Sequence, residues 1–363
     1  MKPNSHSDPM VPPLPGSPGN IDSPRLLQQA TLVVNADQAL AVLPSRAFRS
    51  SGVMYDPALT DATSLSVAAA AGIGGFNFPV DTGGIYHWQT HSYYAGFTDP
   101  YGRTSPPAGN TYMAFRTAAK AALPSADFML SANLDNDLAG TGPGTTAEAA
   151  AWVTDALVTN AFPLSEFTLW RIGGEEYNNG FYGPPWTPGI PQTKYAPTDP
   201  TTVGGLMRSM AQAMKAVNNG IKCGAVLYPD NLYPAVGVFG ASSVPFNASI
   251  LAGASGSLDF AILHSFPLFQ ISDSNVLNPA SKIAQCLATL RGQFVAAGLP
   301  SSFPIHIDEC GAFATTPTKH TVSIIGALYV LDQHLAWLSG GCASVGLFSL
   351  HGGMGTTGSA QDP

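Results

Sequence analysis

Short runs of apolar and β-branched residues recur along this chain. Between them lie longer alanine-rich stretches whose apolar positions repeat every three or four residues. The first kind predicts strands at Ala47–Tyr55, Gly72–Pro79, Asp127–Asn133, Phe167–Gly173, Ile221–Leu227, Asp259–Phe266, Pro304–Glu309 and Ala343–His351. The second predicts helices over 58–71, 110–122, 145–160, 202–218, 246–253, 277–298 and 320–338. Thr145 followed by Glu148 has capping-box spacing and marks the start of the third helix. Strands that alternate with helices form an all-parallel sheet. Eight of them favour a closed (β/α)8 TIM barrel over an open sheet. No GxGxxG follows the first strand, so a dinucleotide fold is not indicated.

The ends of the chain read differently. Residues 1–30 form a Pro-rich leader expected to be disordered, and 31–44 hold a strand of an accessory β-sandwich or a segment leading into the barrel. The barrel itself is expected over 45–351, with 352–363 a flexible tail too short for an eighth helix. The expected fold is therefore a TIM barrel without its last helix and without the accessory β-sandwich.

Composition narrows the class. Of 363 residues, 45% are hydrophobic, only 15 are Lys or Arg, and the formal charge is −8. A nucleic-acid partner would need a basic stripe to neutralise phosphates, and none is available. No window of 18 apolar residues exists to cross a membrane. The surface uses Ser, Thr, Ala, Asn and Gly in place of Lys and Glu, a composition common in secreted proteins. A sequon at Asn247-Ala248-Ser249 agrees with that placement, although the chain shows no signal peptide.

Only five glutamates occur: Glu148, Glu166, Glu175, Glu176 and Glu309. Three of them fall at the ends of predicted strands, Glu175 and Glu176 after the fourth and Glu309 on the seventh. In a barrel those ends form one mouth. Two carboxyls converging there suit retaining glycoside hydrolysis, one attacking the sugar and the other protonating the leaving oxygen. Two long loops on the same face, 81–110 and 175–201, carry Tyr86, Trp88, Tyr93, Tyr94, Phe97, Tyr177, Phe181, Tyr182 and Trp186. Aromatic faces of this kind pack against sugar rings. His351, ending the eighth strand, is a further candidate for the pocket. The eight histidines show no paired metal-ligand spacing, so neither metal nor cofactor is expected. Cys223, Cys286, Cys310 and Cys342 could pair, and Cys310 beside Glu309 reads as a buried hydrophobe.

These segments resemble a known family. Trp170-Arg-Ile-Gly-Gly-Glu175-Glu-Tyr-Asn is similar to the fourth-strand signature W-x-x-G-N-E of clan A glycoside hydrolases, above all the α-L-arabinofuranosidase family. The run DNDLAGTGPGTTAEAAAWV from Asp135 resembles that family's N-x-G-T-G-T-x-E-E-A-x-x-W-V, with Asn133 just before it. Asp259-Phe-Ala-Ile-Leu-His264 resembles the sixth-strand D-x-x-S-x-H, and Ile307-Asp308-Glu309 the seventh-strand T-E. The resemblance covers about residues 45–350. It implies Glu175 as acid/base, with Glu176 a rival one residue on, Glu309 as nucleophile, and His264 beside them.

The chain departs from the family at three places. Gly174 replaces the Asn that contacts the sugar's 2-hydroxyl, a contact Asn77 or Asn133 could supply instead. The second strand lacks the usual Arg, whose charge Arg49 could provide. His264-Ser265-Phe266 loses a tyrosine hydroxyl. The expected partner is a polysaccharide or oligosaccharide. The alternative is a non-catalytic carbohydrate-binding barrel that kept the cleft and lost the chemistry.

Overall fold

A computed structural model describes residues 43–80, 86–93, 98–99, 101–134, 144–175, 200–230, 232, 246–266, 280–311 and 324–351. The expected leader, the accessory segment up to residue 42 and the tail from 352 lie outside these. Eight strands run parallel: β1 (Phe48–Val53), β2 (Gly75–Val80), β3 (Asp127–Ala132), β4 (Leu169–Ile172), β5 (Lys222–Val226), β6 (Phe260–Ser265), β7 (Ile305–Cys310) and β8 (Ser344–Leu347). Each bonds to its sequence neighbours, and β8 pairs with β1 to close the barrel. Seven helices alternate with them: α1 (Ala62–Ala70), α2 (Tyr112–Ala122), α3 (Thr146–Thr154), α4 (Pro200–Val217), α5 (Phe246–Ala254), α6 (Ala280–Ala296) and α7 (Ile324–Ser339). All eight strands and all seven helices predicted from the pattern are present.

Side-chain caps start the first three helices, the third at the Thr145 that the sequence marks. Asp61 accepts from the Ser64 amide at 2.7 Å, Thr111 from Ala114 at 3.1 Å and Thr145 from Glu148 at 3.2 Å. Glu148 reaches back to the amide of Gly144, one residue ahead of the cap, so the box is offset from its usual form. The third helix also differs from the single span expected over 145–160. From Asp155 to Thr159 it widens into a π turn, where the Asp155 carboxylate accepts from Tyr112 and Asn160. The four cysteines, expected as possible pairs, are all free and buried. Burial holds Cys223, Cys286 and Cys342 up at about 12, so none is a ready nucleophile.

Outside the barrel, an aromatic wedge joins β2–β4 to α2 and α3. Trp152 meets Trp170 edge-on at 5.8 Å, and Phe128 stacks on Phe167 at 5.4 Å. Inside, the barrel is polar where branched aliphatics usually fill it: Arg49, Ser51, Asn77, Asp127, Arg171, His264, His306 and Asp308 are all buried. Buried charges of this number must pair, and they do so in two groups, one at each end.

The seventh strand breaks the alternation that a regular strand would impose. Against β6, Leu263 pairs with Ile307 but His264 pairs with Glu309. Against β8, the three residues from Val345 to Leu347 span four from Ile307 to Cys310. Both neighbours therefore see one extra residue, a β-bulge at Asp308. Asp308 and Glu309 both turn into the barrel, and Cys310 turns out to donate to Gln333 Oε1 of α7 at 3.1 Å. The bulged Asp308 carbonyl is held by Ser51 Oγ at 2.7 Å and Asn77 Nδ2 at 3.0 Å. A Cβ at Gly346 would stand 2.7 Å from that carbonyl oxygen, so only glycine fits beside the bulge.

Candidate active site

The C-terminal end of the barrel is set by three strands. β4 carries Arg171, and the chain beyond it turns at Gly173, whose φ of +77° suits glycine and delivers Glu175 to the mouth. Arg171 Nε donates to the Gly173 carbonyl at 2.8 Å, which fixes that turn from below. β6 carries His264, and β7 carries Asp308 and Glu309.

His264 is the hub. Its Nδ1 lies 2.6 Å from Glu175 Oε1, and its Nε2 lies 3.0 Å from Asp308 Oδ1 and 3.5 Å from Glu309 Oε1. Arg171 Nη1 reaches Asp308 Oδ2 at 2.8 Å and Glu309 Oε1 at 2.9 Å. One imidazole thus touches both Glu175 and Glu309. That caps the gap between their nearest oxygens at about 8 Å, within the roughly 5–9.5 Å spanned by glycosidase carboxyl pairs.

Burial alone would push the His264 pKa down, but Glu309, Asp308 and Glu175 together drive it up to about 10. Burial also raises Asp308, but Arg171 and His264 outweigh it and hold that carboxyl below its ordinary value. For Glu309 burial prevails over His264 and Arg171, with Asp308 and Glu175 adding to it, and its carboxyl lies above the usual range.

His264, Asp308 and Glu309 present ligand-type atoms within 4.8 Å of one another, the only such group among the described residues. A fixed guanidinium lies against two of those three donors, and both imidazole nitrogens already face carboxylates. The donor set is that of an ion-pair network and does not suit a metal ion.

The other sequence candidates separate from this centre. Arg49, expected to steady the nucleophile, lies at the opposite end, where its guanidinium pairs with Asp127 at 2.7 Å. The guanidinium that contacts Glu309 is that of Arg171, on a different strand. Asn77 spends its amide on Arg49 and on the Asp308 carbonyl, so it supports the bulge from beneath. Asn133, just past the end of β3, lies 3.1 Å from His87 Nδ1. Trp88, half-buried, stacks on Trp152 at 5.6 Å and donates to the Glu148 carbonyl, and Tyr86 and Tyr93 are buried. These three rings pin the loop to α3 and do not form an open platform. His351 clasps the seam of the barrel, bonding Asp56 at 2.5 Å and Ser64 at 2.7 Å. Glu176, Tyr177 and Trp186 lie outside the described residues.

Arg171 and Asp308 were both missed as site residues, and for Arg171 a signal existed. It is a charge inside an otherwise apolar strand run, and such a charge must find a partner inside the barrel. Alternation also puts Arg171 on the same face as Gly173 and Glu175.

Comparison with solved structures agrees on the fold. The chain is similar to a family 51 α-L-arabinofuranosidase from Bifidobacterium longum, with a TM-score of 0.59 and 15% identity over 87% of this chain and 69% of that one. It is also similar to the α-L-arabinofuranosidase of Thermotoga maritima, with a TM-score of 0.55, 15% identity and coverage of 84% and 64%. A 4-O-α-L-rhamnosyl-β-D-glucuronidase from Fusarium oxysporum gives 0.56, 16%, 86% and 65%. The chain thus spans just under two thirds of the Thermotoga and Fusarium proteins. No family model matches the sequence, and no curated protein does. What the likeness establishes is the barrel fold shared by these clan A glycosidases.

Proposed function

We propose that this chain is a glycoside hydrolase that cleaves O-glycosidic bonds in a polysaccharide or oligosaccharide with retention of configuration. The observation that carries the reading is the single imidazole of His264 touching both Glu175 and Glu309 at the mouth of the barrel. Glu309 is the nucleophile: its carboxylate attacks the anomeric carbon as the bond to the leaving oxygen breaks. Arg171 orients it at 2.9 Å. Glu175 gives its proton to the leaving oxygen, then takes one from the water that releases the sugar from Glu309. The similar solved structures, described as arabinofuranosidases and a glucuronidase, support a carbohydrate substrate. Gly174 and Phe266 remove two side chains that the related enzymes use at this site, so the sugar itself is not carried over from them.

The surface composition supports a place outside the cell. The sequon adds nothing to this, because Asn247 is buried with its amide on Tyr228 and Gln293. No helix among the described residues is long and apolar enough to cross a membrane.

A panel of aryl glycosides and polysaccharides tests the reading. Glu309→Ala should abolish turnover of every substrate. Glu175→Ala should spare dinitrophenyl glycosides, whose leaving group needs no proton, and lose about 10²–10⁴-fold on unactivated ones. Equal loss on both kinds of substrate would remove Glu175 from the acid role, and no turnover by the unaltered chain would defeat the proposal.

A further inference from the structure

Retaining hydrolysis needs two carboxyls, and this site holds a third. Asp308 is fully buried, enters the barrel only through the bulge in β7, donates no proton of its own, accepts from Arg171 and lies in ion-pair range of His264. Its Oδ1 lies 3.0 Å from His264 Nε2, leaving Nδ1 of the same ring directed at Glu175 Oε1, 2.6 Å away. Among the described residues, the charged groups around His264 are Glu175 beyond β4, Asp308 and Glu309 on β7, and Arg171 on β4.

Resting on the glycosidase reading above, we propose that Asp308 is a positioning residue that fixes a proton on His264 Nε2 and so makes His264 and Glu175 one proton-holding pair, the acid and base of the reaction. With the Nε2 proton held by the charge of Asp308 3.0 Å away, the gap between Nδ1 and Glu175 Oε1 has room for one shared proton. When that proton sits on Glu175, Nδ1 accepts it; when it sits on Nδ1, the imidazolium donates to the carboxylate. Three carboxylates face one permanent cation, Arg171, so the site gains by retaining this proton. The upward shift of the His264 pKa, to about 10, has the same origin.

The proton balance is simple. In the first half-reaction the shared proton leaves through Glu175 to the glycosidic oxygen, the bond from that oxygen to the anomeric carbon breaks, and the bond to Glu309 forms. In the second, water attacks the anomeric carbon, the bond to Glu309 breaks, and the pair recovers its proton from the water. A lone glutamate acid fails once pH exceeds its own pKa. The pair keeps its proton into the alkaline range, because the imidazole holds what the carboxyl would lose.

The test uses the chain as it stands, with the ring nitrogens of histidine followed by ¹⁵N NMR and the His264 signal assigned by its loss in His264→Gln. At about pH 8, where an ordinary histidine is neutral, His264 should be an imidazolium in the unaltered chain and neutral in Asp308→Asn. A neutral His264 beside an ionised Glu175 in the unaltered chain, the carboxyl read from its side-chain ¹³C shift, overturns the proposal, and that arm needs no variant to fold. On a glycoside that the unaltered chain turns over, the alkaline limb of kcat/KM should move down by about one pH unit or more in Asp308→Asn, with the acid-side plateau falling less than about tenfold. A loss equal at every pH, with the limb unmoved, would show a merely structural Asp308 and overturn the proposal. Absence of any turnover defeats the glycosidase reading separately, and the ring spectra still decide the Asp308–His264 contact.

Discussion

The two ends of the barrel interior are built from the same residue types and behave in opposite ways. At the lower end Arg49 and Arg46 meet one carboxylate, Asp127, at 2.7 and 3.0 Å. There His306 is buried with its Nδ1 on Ser344 Oγ, and burial together with Arg49 drives its pKa down to about 3. At the upper end three carboxylates meet one guanidinium, and His264 is driven up to about 10. Both ends hold buried charge and both are polar. What separates a structural network from a reactive one is the sign of the surplus charge: an excess of arginine keeps a histidine neutral, and an excess of carboxylate keeps it charged.

The largest test of this contrast removes one arginine from each end. Arg171→Met leaves Asp308 and Glu309 without their fixed cation and should cost about 3–5 kcal/mol, with kcat falling about 10²–10³-fold in the folded fraction. Arg49→Met should cost less, because Arg46 still reaches Asp127. Urea unfolding measures both, and equal losses would show that charge surplus is irrelevant.

A smaller effect lies in the pH dependence of stability. The folded pKa of His306 is depressed, so its contribution is present above the unfolded value of about 6.5 and is lost as pH falls toward about 3. The folded pKa of His264 is raised, so its contribution is present below about 6.5 and is lost as pH rises toward about 10. His306→Gln should flatten the acid limb of the stability profile and His264→Gln the alkaline limb. Exchange of those two outcomes would reverse the assignment of the ends. The smallest effect is Ser51→Ala, which removes one hydrogen bond to the bulged carbonyl of Asp308. It should lower stability by about 0.5–1.5 kcal/mol, and an unchanged urea midpoint would show that Asn77 alone holds the bulge.

The fold was readable because strand and helix periods are local and repeat fifteen times. Glu175, His264 and Glu309 stood out for related reasons, since each ends an apolar run and glutamate is rare. Of the remaining glutamates, Glu148 serves a helix start and Glu166 pairs with Arg116 at 2.6 Å and Lys120 at 3.0 Å. Asp308 was not readable. Alternation along β7 predicts that neighbours 308 and 309 face opposite ways, and a bulge is a property of pairing between strands that one strand's residues do not declare. The role of Arg171 was obscured differently. The family resemblance placed the steadying arginine on the second strand, which directed attention to Arg49, whereas the geometry needs only a guanidinium beneath β7 from any side. For Trp88 and His351 the structure shows packing partners, because aromatic and histidine side chains serve packing as readily as binding, and composition does not separate the two.

The bulge gives this site a dependence on length that is separate from its dependence on chemistry. Substitution scanning holds the number of residues constant and so never samples that variable. A chain lacking Asp308 would keep Glu175, His264, Arg171 and Glu309. Glu309 would then slide into the inward position that Asp308 now fills, about 3.3 Å deeper along the strand. Every residue that the proposed two-carboxyl chemistry requires would be present, and Glu309 would be out of reach of the mouth. A one-codon deletion in β7 would therefore take this site apart while leaving a chain that still looks complete to any comparison of residue types.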